Sequence, residues 1–102
     1  MSIAEILESS LTEKLKPSFL DILNESNLHN VPIGSESHFR ILIVSDRFEN
    51  LNVVKRHKMV YQVCKIAIKS GIHALAMQCF TEEEWKLNPK KNESPTCLGG
   101  ST

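Results

Sequence analysis

A chain of 102 residues, 41% hydrophobic and 24% charged, has material for one buried core and not for two full-sized domains. Twelve basic residues balance twelve acidic ones, so no global positive field gathers phosphate backbones or anionic lipid, and any nucleic-acid surface has to be local. Three cysteines, Cys64, Cys79 and Cys97, with no C-x-x-C pair among them, fit neither a disulfide framework nor a self-contained zinc knuckle.

Ser2-Ile3-Ala4-Glu5 has the form of a capping box, and Ile3, Ile6, Leu7, Leu11 and Leu15 follow at helical spacing until Pro17 forbids continuation. The expectation is a first amphipathic helix. Glu5, Glu8 and Glu13 interrupt the apolar residues that a targeting segment needs, and no run approaches the roughly 18 apolar residues of a membrane span. We therefore expect a cytoplasmic chain without a membrane partner.

Residues 19–26, with Phe19, Leu20, Ile22 and Leu23, read as a strand, and 27–35 as a loop turned by Pro32 and Gly34. A second strand is expected from His38 to Ser45, where Phe39, Ile41 and Ile43 alternate with His38, Arg40, Leu42 and Val44. Between Val53 and Lys69 the period changes: Val53, His57, Val60, Tyr61, Cys64, Ala67 and Ile68 gather on one side of a helix, with Ser70-Gly71 as its stop. Residues 72–80 are nearly continuously apolar, the pattern of a strand buried within a sheet. Thr81-Glu82-Glu83-Glu84 is a second capping box, opening a short helix with Trp85. The expected domain is 1–87, followed by a flexible polar tail over 88–102.

The element order α-β-β-α-β-α sets a hairpin before one crossover helix. A strand–helix–strand crossover brings its strands parallel, so the product is a small three-stranded mixed sheet with helices on one face, an α+β sandwich of two layers.

Several separated motifs then resemble the BolA family. They are His29-Asn30-Val31-Pro32 with Gly34-Ser35-Glu36-Ser37-His38-Phe39, Val44-Ser45-Asp46-Arg47-Phe48, Arg56-His57-Lys58-Met59-Val60-Tyr61, Gly71-Ile72-His73-Ala74-Leu75, and Thr81 to Trp85. The resemblance implies a fold like the class II KH domain, in agreement with the element order, but the chain has no G-x-x-G loop to clamp a nucleic-acid backbone. It also implies two functions: a two-iron two-sulfur cluster shared with a monothiol glutaredoxin and glutathione, and regulation of transcription. In this setting His73 is the expected metal ligand, His29 the second, and His38 the reserve. Neutral imidazoles suit iron, and this chain lacks paired cysteines, so the thiolates come from the partner and the chain alone is expected to hold no cluster. Read without the resemblance, His29 is an exposed loop residue and His73 a strand residue beside Leu75 and Met77.

His57 falls on the apolar side of its helix and is expected to be packed and structural. Lys55, Lys58, Gln62, Lys65 and Lys69 gather on another side with Arg56 at the flank, and no acidic residue lies between Val53 and Lys69. A helix can set such a stripe against DNA phosphates, and this is the alternative function; a solvated charged face is the plainer meaning. No nucleophile, base and orienting carboxylate stand together in the sequence, so a non-enzymatic protein is expected. Its partners are then a glutaredoxin, with DNA as the alternative, and weak self-association.

Overall fold

The computed structural model describes residues 2–28, 32 and 34–87. The first helix, α1 (Ile3–Leu15), begins on the expected capping box: Glu5 N–H donates to Ser2 Oγ at 3.1 Å, and Ser2 N–H donates to Glu5 Oε1 at 2.9 Å. Two amide donors without intrahelical partners are thereby satisfied. The helix ends at Lys16, whose φ of 47° is left-handed, immediately before Pro17. Leu7, Leu11 and Leu15 form its buried edge.

Three strands, β1 (Phe19–Asn24), β2 (His38–Val44) and β3 (Ala74–Phe80), make one sheet in the order β1-β2-β3. The β1–β2 pair is antiparallel, with Phe19 opposite Val44. The β2–β3 pair is parallel, with His38 beside Ala74 and Val44 beside Phe80. The mixed sheet read from the sequence is the one observed. Phe39, Ile41 and Ile43 of β2 join the helices' core cluster, while Leu42 and Val44 are buried on the opposite face. The strand with two buried faces is therefore β2. β3, whose apolar run suggested burial within the sheet, lies at an edge. Its run has a different origin: Leu75, Met77 and Cys79 turn to the core, Phe80 meets Trp85, and Ala74 and Ala76 are exposed.

The helix expected over 53–69 is divided into α2 (Val53–Val63) and α3 (Lys65–Lys69) by Cys64, at φ −87° and ψ 10°. Hydrogen bonds bridge the elbow, from Cys64 N–H to Val60 O and from Ile68 N–H to Cys64 O, both 2.9 Å. Val60, Cys64 and Ala67 point inward with Met59 and Val63 beside them, so the buried face is rotated from the one that spacing suggested. Val53 and Tyr61 are exposed, and His57, expected in the core, is half-buried on a groove wall with Val53, Arg56, Met77 and Cys79.

Arg56 accounts for this rotation. Its Nε donates to Leu51 O at 2.8 Å, its Nη1 to Cys79 O at 3.2 Å, and its two terminal nitrogens to the two oxygens of Glu84. The guanidinium also stands 5.9 Å from the centre of the buried Phe48 ring. A cation fixed between strand and helix draws the 56–60–63–67 line inward, and the lighter demands of Val53 and Tyr61 yield.

The last helix, α4 (Glu82–Leu87), opens on the second capping box: Glu84 N–H donates to Thr81 Oγ1 at 3.2 Å and Thr81 N–H to Glu84 Oε1 at 3.0 Å. Trp85 stacks on Phe19 and meets Phe80 at a 45° tilt, with ring centres 5.5 Å away in each case. By strand register these two rings lie with Leu42 and Val44, on the face away from α1, α2 and α3. The two-layer sandwich thus carries a small aromatic seal on its second face.

Candidate functional site

His73 stands on the segment between α3 and β3, outside regular structure, and is exposed. What places it is the main chain of Ser37: the N–H groups of His73 and Ala74 both donate to Ser37 O, at 2.8 and 3.1 Å. Ser37 is itself held from the other side, because its N–H and that of His38 donate to Oγ of the buried Ser26, at 3.0 and 3.1 Å. A buried hydroxyl accepting two amides and a carbonyl accepting two more form a rigid junction among the turn after β1, the start of β2 and the approach to β3.

The junction brings two imidazoles together. The rings of His38 and His73 have centres 6.1 Å apart and planes inclined at 63°. Ser37 Oγ lies 2.8 Å from His38 Nδ1. The loop before β2 is fastened further back by Asn24 Nδ2, which donates to Ser35 O at 2.9 Å, and by Glu36. The Glu36 carboxylate accepts from Ile3 and Ala4 N–H, at 3.1 and 3.2 Å, and so supplies an anion to the first turn of α1. Ser26, Glu36 and Ser37 were absent from the sequence-based candidates, since nothing in their spacing marks a serine or glutamate as an anchor. His29 lies outside the described residues, as do Cys97 and the tail over 88–102.

Cys64, buried in the core, and Cys79, partly buried against it, are free thiols, and burial pushes both up to about 12, so neither is a thiolate near neutrality. Among the described residues no group of three or more His, Cys, Asp or Glu side chains is arranged to hold a metal ion. Two imidazoles with no available thiolate among the described residues amount to the nitrogen half of a mixed nitrogen–sulfur donor set. They fit a two-iron two-sulfur cluster whose sulfur ligands come from another molecule.

The basic face divides. Lys55, Lys58, Gln62, Lys65 and Lys69 are exposed on α2 and α3, and Lys58, Tyr61, Gln62 and Lys65 line a shallow concavity. Arg56 departs from the group, because its side chain is only 11% exposed and engaged with Glu84, Leu51 and Cys79. Its role is internal. Tyr61 donates to Leu75 O on the outer edge of β3 at 3.3 Å.

A family model described as BolA-like protein matches residues 11–84. The chain belongs to the BolA-like family. The DNA-binding transcriptional regulator BolA of Vibrio cholerae is 46% identical over 100 residues, covering 97% of this chain and 94% of the relative. Its Escherichia coli counterpart of the same description is 40% identical over 103 residues, covering 100% of this chain and 98% of the relative. Among solved structures, BolA1 from Mus musculus superposes with a TM-score of 0.80 at 38% identity, covering 97% of this chain and 80% of that one. The likeness of motifs and the likeness of fold therefore agree, and this BolA-family chain has relatives named as regulators rather than as enzymes. Among the described residues no helix is long and apolar enough to cross a membrane.

Proposed function

We propose that this BolA-family protein is a non-enzymatic adaptor that binds a monothiol glutaredoxin and supplies imidazole ligands to a two-iron two-sulfur cluster held between them, for cluster transfer or iron sensing. The observation that carries this reading is the exposed His73 beside His38 at one end of the β2–β3 pair, in a chain whose described cysteines are protonated thiols, Cys64 buried and Cys79 partly buried. Imidazole is what the described surface offers; thiolate is what the described residues lack. Cysteine and glutathione from the partner supply the complementary sulfur. His73 is the first ligand in this reading, and the second comes from the segment before and into β2, from His29 as the resemblance implies or from His38.

The test is to mix the chain with a monothiol glutaredoxin, iron, sulfide and glutathione and to record visible absorption and circular dichroism. The expected result is a spectrum distinct from that of the glutaredoxin homodimer, lost in His73→Ala. A mixed spectrum that His73→Ala leaves unchanged overturns the assignment.

A second reading, a DNA-binding regulator, is favoured by the names of the Vibrio cholerae and Escherichia coli relatives and by the exposed lysines of α2 and α3. Lys55, Lys58, Lys65 and Lys69 are then phosphate contacts and Gln62 the side chain suited to a base edge.

A further inference from the structure

We infer that the outer edge of β3 is a docking surface for an extended acidic peptide, one that carries a carboxylate and, two residues along, an aliphatic side chain, and that joins the sheet as a fourth strand. The direction of the main chain is the first ground. Ala74 N–H donates to Ser37 O at 3.1 Å and Ser45 N–H to Phe80 O at 2.9 Å, so the even-numbered residues of β3 bond toward β2. Alternation then turns the N–H and C=O groups of Leu75, Met77 and Cys79 to the outer edge. Side chains of α2 take two of these carbonyls: the Tyr61 hydroxyl donates to Leu75 O at 3.3 Å, and Arg56 Nη1 donates to Cys79 O at 3.2 Å. Between them, Met77 presents main-chain groups that no described side chain takes. Such an edge is a template for a further strand.

The two plugs differ in strength. Arg56 is enclosed and paired with Glu84, whereas Tyr61 is 45% exposed and its hydrogen bond is long, so the half of the edge from Leu75 to Met77 is the half that opens. Chemistry beside that half selects the occupant. Lys58 and Lys65 stand with Tyr61 around a concavity of about 350 Å³, and Val53, His57 and Met77 line a groove of about 290 Å³ next to it. Residues 51–81 contain no acidic side chain. Alternate side chains of an added strand share one face roughly 7 Å apart, so where one meets the lysines the next lies over Met77. Charge makes the first a carboxylate, and the apolar groove makes the second aliphatic. A second copy of the chain fits less well. Paired about Met77 it sets each Leu75 opposite the other's Cys79, whose carbonyl Arg56 holds; centred on the open half, it sets lysine against lysine.

The surface uses neither His38 nor His73, and it stands whether or not a cluster or DNA is bound elsewhere. The probe is a blocked seven-residue peptide of threonines with one glutamate and, two positions on, one valine, made in both chain directions. It is titrated into the full chain labelled with nitrogen-15, and amide shifts are followed by NMR. We expect saturable shifts at the Leu75 and Met77 amides for one of the two directions. Lys58→Glu with Lys65→Glu is expected to weaken binding about fivefold or more. Tyr61→Phe, which keeps the ring and frees Leu75 O, is expected to tighten it about threefold, the opposite of what loss of a merely structural residue does. N-methylation of alternate peptide amides is expected to abolish binding for one alternate set and spare it for the other, because only one set faces β3. Unmoved Leu75 and Met77 amides, or equal loss from both methylated sets, overturn the added strand. Shifts confined to the lysines of α2 and α3 mean that charge alone attracts the peptide and overturn it as well. Self-association of the chain through Met77 without peptide overturns the choice of occupant.

Discussion

Arg56 is the residue on which α2, β3 and α4 meet. It satisfies Leu51 O and Cys79 O, pairs with Glu84 and lies over Phe48. Removing it takes a donor from Leu51 O and Cys79 O and leaves the Glu84 carboxylate with Thr81 N–H but no cation. Arg56→Met is therefore expected to cost about 2–3 kcal/mol in urea unfolding. Glu84→Gln keeps the capping box and loses only a pairing exposed on one side, so about 1 kcal/mol or less is expected. The Glu84 carboxyl is held below its ordinary 4.5 by the Arg56 hydrogen bonds first and by Thr81 N–H second. A lowered carboxylate is protonated more readily in the unfolded chain, so its stabilisation is complete above about 4.5 and fades as pH falls through the lower folded value. Unfolding midpoints measured from pH 6 down to about 3 are expected to fall less steeply in Glu84→Gln than in the unaltered chain. An equal slope removes Glu84 as a source of acid sensitivity. In the sequence Arg56 looked like one more cation of a helix stripe, because helical arithmetic gives an angle and not the carbonyls waiting at that angle.

At the level of elements, two left-handed positions make opposite predictions. α1 ends on Lys16 at φ 47°, a conformation in which Cβ crowds the following carbonyl. Lys16→Gly removes that crowding at a C-cap and is expected to stabilise the fold by about 0.5–1 kcal/mol. Gly71, at φ 129° between α3 and β3, has no atom within 4 Å of the place a Cβ takes, so crowding by neighbours is no obstacle there. Gly71→Ala is nonetheless expected to destabilise by about 1–3 kcal/mol, through backbone strain alone. Thermal unfolding of the two variants checks both signs. The glycine stop and both capping boxes were legible because such signals act within four residues of chain. The elbow at Cys64 and the edge position of β3 were not. Strand order and helix rotation are settled by contacts between segments far apart in sequence, and an apolar run reads the same whether its second face meets a strand, a helix or Trp85.

Across the whole molecule, zero net charge conceals a segregation. Residues 1–50 carry eight acidic and four basic side chains, whereas 51–81 carry five basic ones and no acid. With Arg56 paired to Glu84, four lysines remain on the exposed side of α2 and α3. If that side contacts DNA phosphates, affinity falls with salt, and Lys58→Ala with Lys65→Ala together reduces the log–log slope by about two. Binding of promoter and scrambled duplexes, measured at several salt concentrations, checks it; an unchanged slope removes this face as the contact. The stripe was visible in the sequence, as was His73. The company His73 keeps was not: His38 reaches it only because a parallel β2–β3 register, fixed by the full sheet, sets residue 38 beside residue 74.

The two described thiols have a further consequence. Cys64 sits buried at the elbow between helices and Cys79 partly buried on the outer strand, and each is a weak nucleophile while it stays a protonated thiol. Full reactivity of either one thus comes with momentary openings, at a pace set by how often its own element parts from the core. Mass spectrometry of singly labelled peptides turns the pair into two clocks in one chain. Matching rates mean that the helix elbow and the outer strand come loose as one body; a faster Cys79 means that the strand detaches while the helices stay closed.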